Sequence, residues 1–374
     1  VDPKNASPSF LRDIANSSVN FIILHYILTL LLKDSARLFL PVNICTNQRK
    51  GVFYAIIEFK GDSIYYLPYL WGGRLVLRIE RGQRVFNFSP QNTPVAYASS
   101  GDTVVFETFD CYSNQITSEN QVIKSRGWDY TNPATGPLYV HGAMPGDILK
   151  VEILHIGLDS QGAMRVGPGG GALGHVLEEQ RTKIIPVSDG VAKFNHRLSL
   201  EVDPMIGVIG TAPKEGAIPT STPGPHGGNM DCKRIGEGSV LYLPVNVPGA
   251  LLAMGDVHAL MGDGEVIICG IEIAAEITVK IQVLSGLSLP LPMVVAGDQI
   301  MTIASEETLD QASVTATEMM HQFIREALNM DPQEAGMLLS IVGNLHICQI
   351  VDPLLTVRME FPLWILEQYG YLIP

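Results

Sequence analysis

The chain has 374 residues, 46% of them apolar and 17% charged, enough to build two or three packed units with a large interior. Acidic residues outnumber basic ones by 38 to 25, for a formal charge of -13, and no Lys/Arg cluster is present. That balance excludes nucleic acid and anionic membrane surfaces as partners and is compatible with cation binding.

Five cysteines, Cys45, Cys111, Cys232, Cys269 and Cys348, are odd in number, scattered and never in Cys-x-x-Cys spacing. A disulfide framework and a structural zinc knuckle are therefore not expected, and a reducing compartment is the simplest reading.

Residues 1–77 read as an N-terminal extension of unknown role. Its apolar run at 21–32 is twelve residues long, short of the roughly 20 that span a bilayer. It lacks a preceding basic segment and a following small-residue cleavage site, so a buried helix or strand is expected there.

Residues 78–285 form the β-rich body. Strands are predicted at 103–109, 137–140, 148–154, 239–244, 265–269 and 271–281, where β-branched residues alternate with Gly, Pro, Asp and Asn turns. The regular spacing points to a sandwich or barrel rather than βαβ units. The stretch 157–180 is a Gly-rich loop without the Lys-Ser/Thr of a phosphate-binding loop, and 207–230 is a second long Pro/Gly loop.

Residues 286–374 read as an α+β C-terminal part. Leu309, Ala312, Ala316, Met319, Met320, Phe323 and Ala327 recur at helical spacing, with Ser305 as the expected N-cap. A second helix starts at Asp331-Pro332-Gln-Glu334 and ends near Gly343, and a strand follows at 355–360. The Met and Phe stripe is core.

Two segments can carry chemistry. In His226-Gly-Gly-Asn-Met-Asp231 two glycines permit a sharp turn that places imidazole, carboxamide and carboxylate in one short loop. Imidazole and carboxylate suit zinc and other divalent ions. The competing reading is a His and an Asp that only cap a turn. In Gly255-Asp-Val-His258, a strand would put Asp256 and His258 on one face. A hairpin turn at 261–264 would bring Glu265 back beside them as a general base. The competing reading is a hairpin whose acids face solvent. Glu107 and Asp110 at a strand exit are weaker candidates, for a calcium ion if a second cation binds. Glu272 and Glu276 share a face of an apolar strand, and a buried acid needs a partner. His175 is a further possible ligand. No serine-nucleophile elbow is present.

From about residue 82 to 365 the chain resembles the acetamidase/formamidase family. The resemblance rests on the segments 101–110, 132–137, 142–147, 226–231, 241–250, 255–265 and 349–353 in that order. It implies hydrolysis of formamide, acetamide or similar short amides to carboxylate and ammonia. It also implies a β-sandwich-like body with an α+β C-terminal part, a bound divalent metal and a cytoplasmic homo-oligomer. Residues 1–77 have no counterpart, and His141 and Met144 stand where the family pattern is polar or acidic.

The expectation is thus a zinc-dependent amidase acting on a small amide. His226, Asp231 and His258 bind the ion, Asp256 is a ligand or its support, Glu265 is the base, and Asn229 donates to the oxyanion. The rivals are a non-catalytic β-sandwich that holds a metal structurally, and acyl transfer through Cys232.

Overall fold

The computed structural model describes residues 74–120 and 131–374, preceded by the short strands Val52–Phe53, Ile56–Glu58, Ile64–Tyr66 and Tyr69–Trp71. The apolar run at 21–32 lies outside the described residues. The chain divides into two compact units, Val1–Leu77 and Arg78–Pro374. In the first, Ile56–Glu58 pairs antiparallel with Ile64–Tyr66, and Val52–Phe53 with Tyr69–Trp71.

The second unit is mainly antiparallel β-sheet with a helical C-terminal part. Its strands relevant to the site are β1 (Thr103–Thr108), β2 (Ala134–His141), β3 (Ile148–Val166), β4 (Arg181–Ser188), β5 (Met205–Gly210), β6 (Gly227–Asn229) and β7 (Val240–Pro244). They continue with β8 (Leu252–His258), β9 (Glu272–Leu284), β10 (Met293–Ala296) and β11 (Gln299–Glu306). Helices α1 (Leu309–Leu328) and α2 (Pro332–Val342) follow, then β12 (Asn344–Gln349), β13 (Leu355–Pro362) and α3 (Leu363–Gln368).

β9 is the spine. It runs antiparallel to β1 from Ala275↔Thr108 to Lys280↔Thr103, and to β3 over nearly its whole length. At its start it pairs with β8 through Val257↔Ile273 and His258↔Glu272. β8 also pairs with β5, and β5 with β6, so four strands converge on the end of β8. Inward residues of this body are Val, Ile and Leu at close to zero exposure, each worth about 1.5–3 kcal/mol of burial.

Three expectations are corrected. The Gly-rich loop starts later than expected, because β3 runs on to Val166 and pairs with β4 from Gln161↔Pro186 to Val166↔Arg181. Its β-branched and polar alternation outweighs the glycines. The Pro/Gly loop contains β5 and β6. β5 is buried along its full length, so it lacks the alternation that marks a half-exposed strand. Residues 265–269 form turns and not a strand.

The C-terminal helices pack on β10, β11 and β13. Ala312, Ala316, Met320, Phe323 and Ile324 of α1 meet Met293, Ile300, Val357, Met359 and Phe361. This confirms the stripe as core. The N-cap of α1 is Thr308, whose hydroxyl accepts from Gln311 N at 3.2 Å. Ser305 instead lies in β11, paired with Thr356. α2 starts as expected, with the Asp331 carboxylate accepting from Gln333 N and Glu334 N.

Candidate active site

The site is assembled by backbone register. β8 lies between β5 and β9, which sets Met205 beside His258 on one side and Glu272 beside it on the other. Asn229 faces Val208 across β5–β6, and two residues later the Asp231 amide donates to Gly207 O at 3.3 Å. Glu265 arrives through a loop. Gly264 N donates to Cys348 O at 2.8 Å, and Ile350 N donates to Gly264 O at 3.2 Å, so the loop is clamped to the segment that carries Asp352.

Asp231, His258 and Glu265 come together, with one ligand atom from each within 4.8 Å of the others. His258 Nδ1 is 3.9 Å from Asp231 Oδ1. On the other edge of the ring, Nε2 is 3.6 Å from Asp256 Oδ1 and 3.1 Å from Glu272 Oε1. Asp256 and Glu272, with Cys111, make a second close-set group on the same 4.8 Å criterion. Among the described residues, neither group contains His226. Its ring lies edge-on to Phe88, at 5.1 Å between centroids, and is buried.

These side chains are nearly inaccessible: His258 and Asp231 are 1% exposed, Asp256 and Glu272 2%, His226 and Asn229 3%, Glu265 8%. Burial raises the Asp231 carboxyl to about 7, with the Asp256 charge adding to it. Burial likewise raises Glu272 to about 8. Burial and then Asp231 push Glu265 well above the usual carboxylate range. For His258, burial disfavours the charged ring, but Glu272 and Asp256 outweigh it and push it well up. His226 has no such neighbours, and burial lowers it to about 4, a neutral ring.

Backbone strain marks the same places. Asp231, Asp256 and Glu265 have φ of 43°, 54° and 45°, in the left-handed region that non-glycine residues rarely enter. Such conformations persist where surrounding structure enforces them, and they concentrate at functional sites. Close packing enforces them here. A Cβ on Gly207 would sit 2.4 Å from Asp231 Oδ1 and 2.8 Å from Asp256 Oδ2. Only a glycine lets the β5 backbone pass beneath the two acids.

A divalent ion fits this chemistry. Asp231 Oδ1, Asp256 Oδ1, Glu265 Oε2, Glu272 Oε2 and His258 Nε2 are buried and have no hydrogen-bond partner in the protein. Buried polar atoms are ordinarily satisfied. Aimed together, carboxylate oxygens and imidazole nitrogen form a donor set suited to zinc and similar cations.

The sequence profile described as the Acetamidase/Formamidase family matches residues 79–221 and 214–300. The chain belongs to that family. It is 49% identical to the crystal structure of an acetamidase from Bacillus halodurans, with a TM-score of 0.77, covering 79% of this chain and 100% of that one. It is 45% identical to a crystallised acetamidase/formamidase from Thermoanaerobacter tengcongensis, with a TM-score of 0.78, covering 80% of this chain and 99% of that one. Over 259 residues it is 29% identical to a formamidase of Methylophilus methylotrophus. That match takes in 54% of this chain and spans 64% of the relative's length.

The remaining expected residues sit elsewhere or in altered company. Asn229 Nδ2 donates to Asp352 Oδ2 at 2.9 Å, while its buried Oδ1 has no hydrogen-bond partner. The Glu107 carboxylate pairs with Arg78, and Asp110 Oδ1 accepts from Asn114 N at 2.6 Å. Neither belongs to a close-set ligand group among the described residues. His175 is exposed, its Nδ1 bonded to Ala172 O. Cys232 is fully buried beside Cys348 and Arg358 rather than facing the acids.

Sequence reading assigned no role to Asp352, Asn132 or Cys111. Asp352 is raised well above the usual range by burial of its carboxyl end and by Asp231 and Glu265. Asn132 Nδ2 donates to Asp256 Oδ2 at 3.1 Å. Glu272 did carry a signal, an acid in an otherwise apolar strand, and its Oε1 lies 3.1 Å from His258 Nε2.

Proposed function

We propose that the protein is a metal-dependent amidohydrolase that cleaves formamide, acetamide or similar short aliphatic amides to a carboxylate and ammonia. The observation carrying this reading is the buried cluster of Asp231, His258 and Glu265, with ligand atoms short of partners and with Asp231 and Glu265 in the left-handed region, in a chain of the acetamidase/formamidase family. Relatives named as formamidase and acetamidase support the substrate class.

Asp231 and His258 would hold the cation, with His226 and Asp256 as further candidate ligands. When bound, the ion supplies Lewis acidity toward the amide carbonyl and toward a water. Glu265 handles the proton. Burial beside Asp231 raises the proton affinity of its carboxyl; as the carboxylate it accepts a proton from water, and as the resulting acid it delivers that proton to the leaving nitrogen. Asn229 is held by Asp352, which orients its free N–H for a developing oxyanion. Asp352 and Asn132 are positioning residues: the first orients Asn229, the second Asp256. Met230 and Met261 are buried among these groups, which favours small substrates.

We further infer zinc as the ion, a cytoplasmic location and a homo-oligomeric state. Cys111, Cys232, Cys269 and Cys348 are free thiols, consistent with a reducing compartment. Among the described residues, no helix is long and apolar enough to cross a membrane.

The test is ammonia release from a panel of short amides, with and without chelator. Turnover of formamide or acetamide that chelator abolishes and added zinc restores is expected. Turnover insensitive to chelator would remove the metal role, and none on any short amide would favour the non-catalytic reading.

A further inference from the structure

The site gathers more carboxyl groups than the three-residue cluster at His258 uses. Asp231, Asp256, Glu265, Glu272 and Asp352 converge with His258, and among the described residues none of the five pairs with a lysine or arginine.

The acids are also divided in space. The His258 ring stands between them, with Asp231 nearest Nδ1 and Asp256 and Glu272 nearest Nε2. On the Nε2 side a third residue completes a ligand set. Cys111, Asp256 and Glu272 each offer an atom within 4.8 Å of the others.

Each carboxylate on that side is half used. Asp256 Oδ2 accepts from Asn132 Nδ2 at 3.1 Å, while Asp256 Oδ1 has no hydrogen-bond partner. Glu272 Oε1 accepts from Gly270 N at 3.0 Å, while Glu272 Oε2 has none. One oxygen anchored and one left free is how supporting contacts orient metal-binding carboxylates. The thiol is tied into the same frame, because Asn132 N donates to Cys111 O at 3.2 Å. Asn132 therefore braces Cys111 through its backbone and Asp256 through its side chain. Glu272 is fixed by its register opposite His258 on paired strands.

We propose that Cys111, Asp256 and Glu272 form a second divalent-cation site beside the one at Asp231 and His258, so that each chain carries two ions. The thiolate selects zinc or cobalt(II) over calcium or magnesium. This inference rests on the metal-dependent reading above, and its failure can be told apart from the failure of that reading.

The experiment is titration of the metal-stripped, reduced full chain with cobalt(II) alone, following both equivalents bound and the near-ultraviolet thiolate-to-cobalt absorption. Two equivalents per chain are expected, with the thiolate absorption present. Cys111→Ser should abolish that absorption, and Glu272→Gln should remove one equivalent while the other stays. A single equivalent without thiolate absorption overturns the second site and leaves the first. Absence of all binding overturns both. Absorption unchanged in Cys111→Ser also overturns the proposal, by assigning it to another cysteine. Should Cys111→Ser or Glu272→Gln fail to fold, Asn132→Ala keeps every ligand in place. It should weaken one equivalent by roughly 10- to 100-fold, and unchanged affinity for both would count against the site.

Discussion

Gly270 packs where a side chain would meet the central histidine, and replacing it tests whether the position of His258 matters. The glycine precedes β9, and a Cβ there would lie 2.8 Å from His258 Cγ and 2.9 Å from Nδ1. Carbon atoms in contact prefer about 3.5–4.0 Å, so Gly270→Ala overlaps the ring by roughly 0.7 Å. The ring has no slack: it is 1% exposed, with Met261 Sδ 3.3 Å from Nδ1 and Glu272 Oε1 3.1 Å from Nε2. Overpacking of this kind costs about 1–3 kcal/mol, which the chain should survive folded. The ring must yield by several tenths of an ångström, and misplacement of about 1 Å can cost on the order of 10²-fold in rate. Gly270→Ala should therefore fold, melt a few degrees lower, and lose roughly 10- to 100-fold in kcat/KM for ammonia release. Gly262→Ala, in the same loop, is the control, because a Cβ there meets nothing within 4 Å. Full activity in Gly270→Ala, with a normal melt, would refute a role for His258 placement.

Other outcomes follow from the same geometry. Burial raises Asp231 to about 7 and Glu272 to about 8, so in the metal-free fold their protonated forms are the stable ones. That stability is complete below the unfolded carboxyl value of about 4 and is lost as pH rises through the folded values. Differential scanning calorimetry of the chelated protein should show its melting temperature falling from about pH 5 to about pH 8. Added zinc should flatten that slope, and a chelated protein that gains stability over this range would contradict the assignment. Cys232→Ser should keep ammonia release within about twofold, since the thiol faces Cys348 and Arg358; loss of all turnover would reopen acyl transfer. Thr308→Ala removes the α1 cap and should cost about 1 kcal/mol in denaturant unfolding with kcat unchanged.

Much of the molecule was legible in the chain itself. Alternating β-branched segments between Gly/Pro/Asp turns announce an antiparallel β body, and the periodic apolar stripe from Leu309 announces α1. His258 and Asp231 stood out because imidazole and carboxylate recur within short glycine-bearing segments. Local spacing, however, says which residues are near in sequence and not which ones meet. The expected hairpin turn at 261–264 brings Glu265 back alongside Asp256 or His258, whereas register across β8–β9 sets Glu272 opposite His258. Glu265 reaches the cluster through a loop held by Cys348 and Ile350. Likewise His226 and Asp231 share one short loop, yet only Asp231 joins the close-set ligands, because the chain turns through Gly227 and Gly228 at φ of 94° and 82°. Residue type and periodicity determined the β-rich class, most of its strands and the helices. Tertiary structure decided the partners: Cys111 with Asp256 and Glu272, and Asp352 with Asn229. Those contacts join residues far apart in the chain, and their hydrogen-bonding and charge are properties of packing that no local pattern encodes.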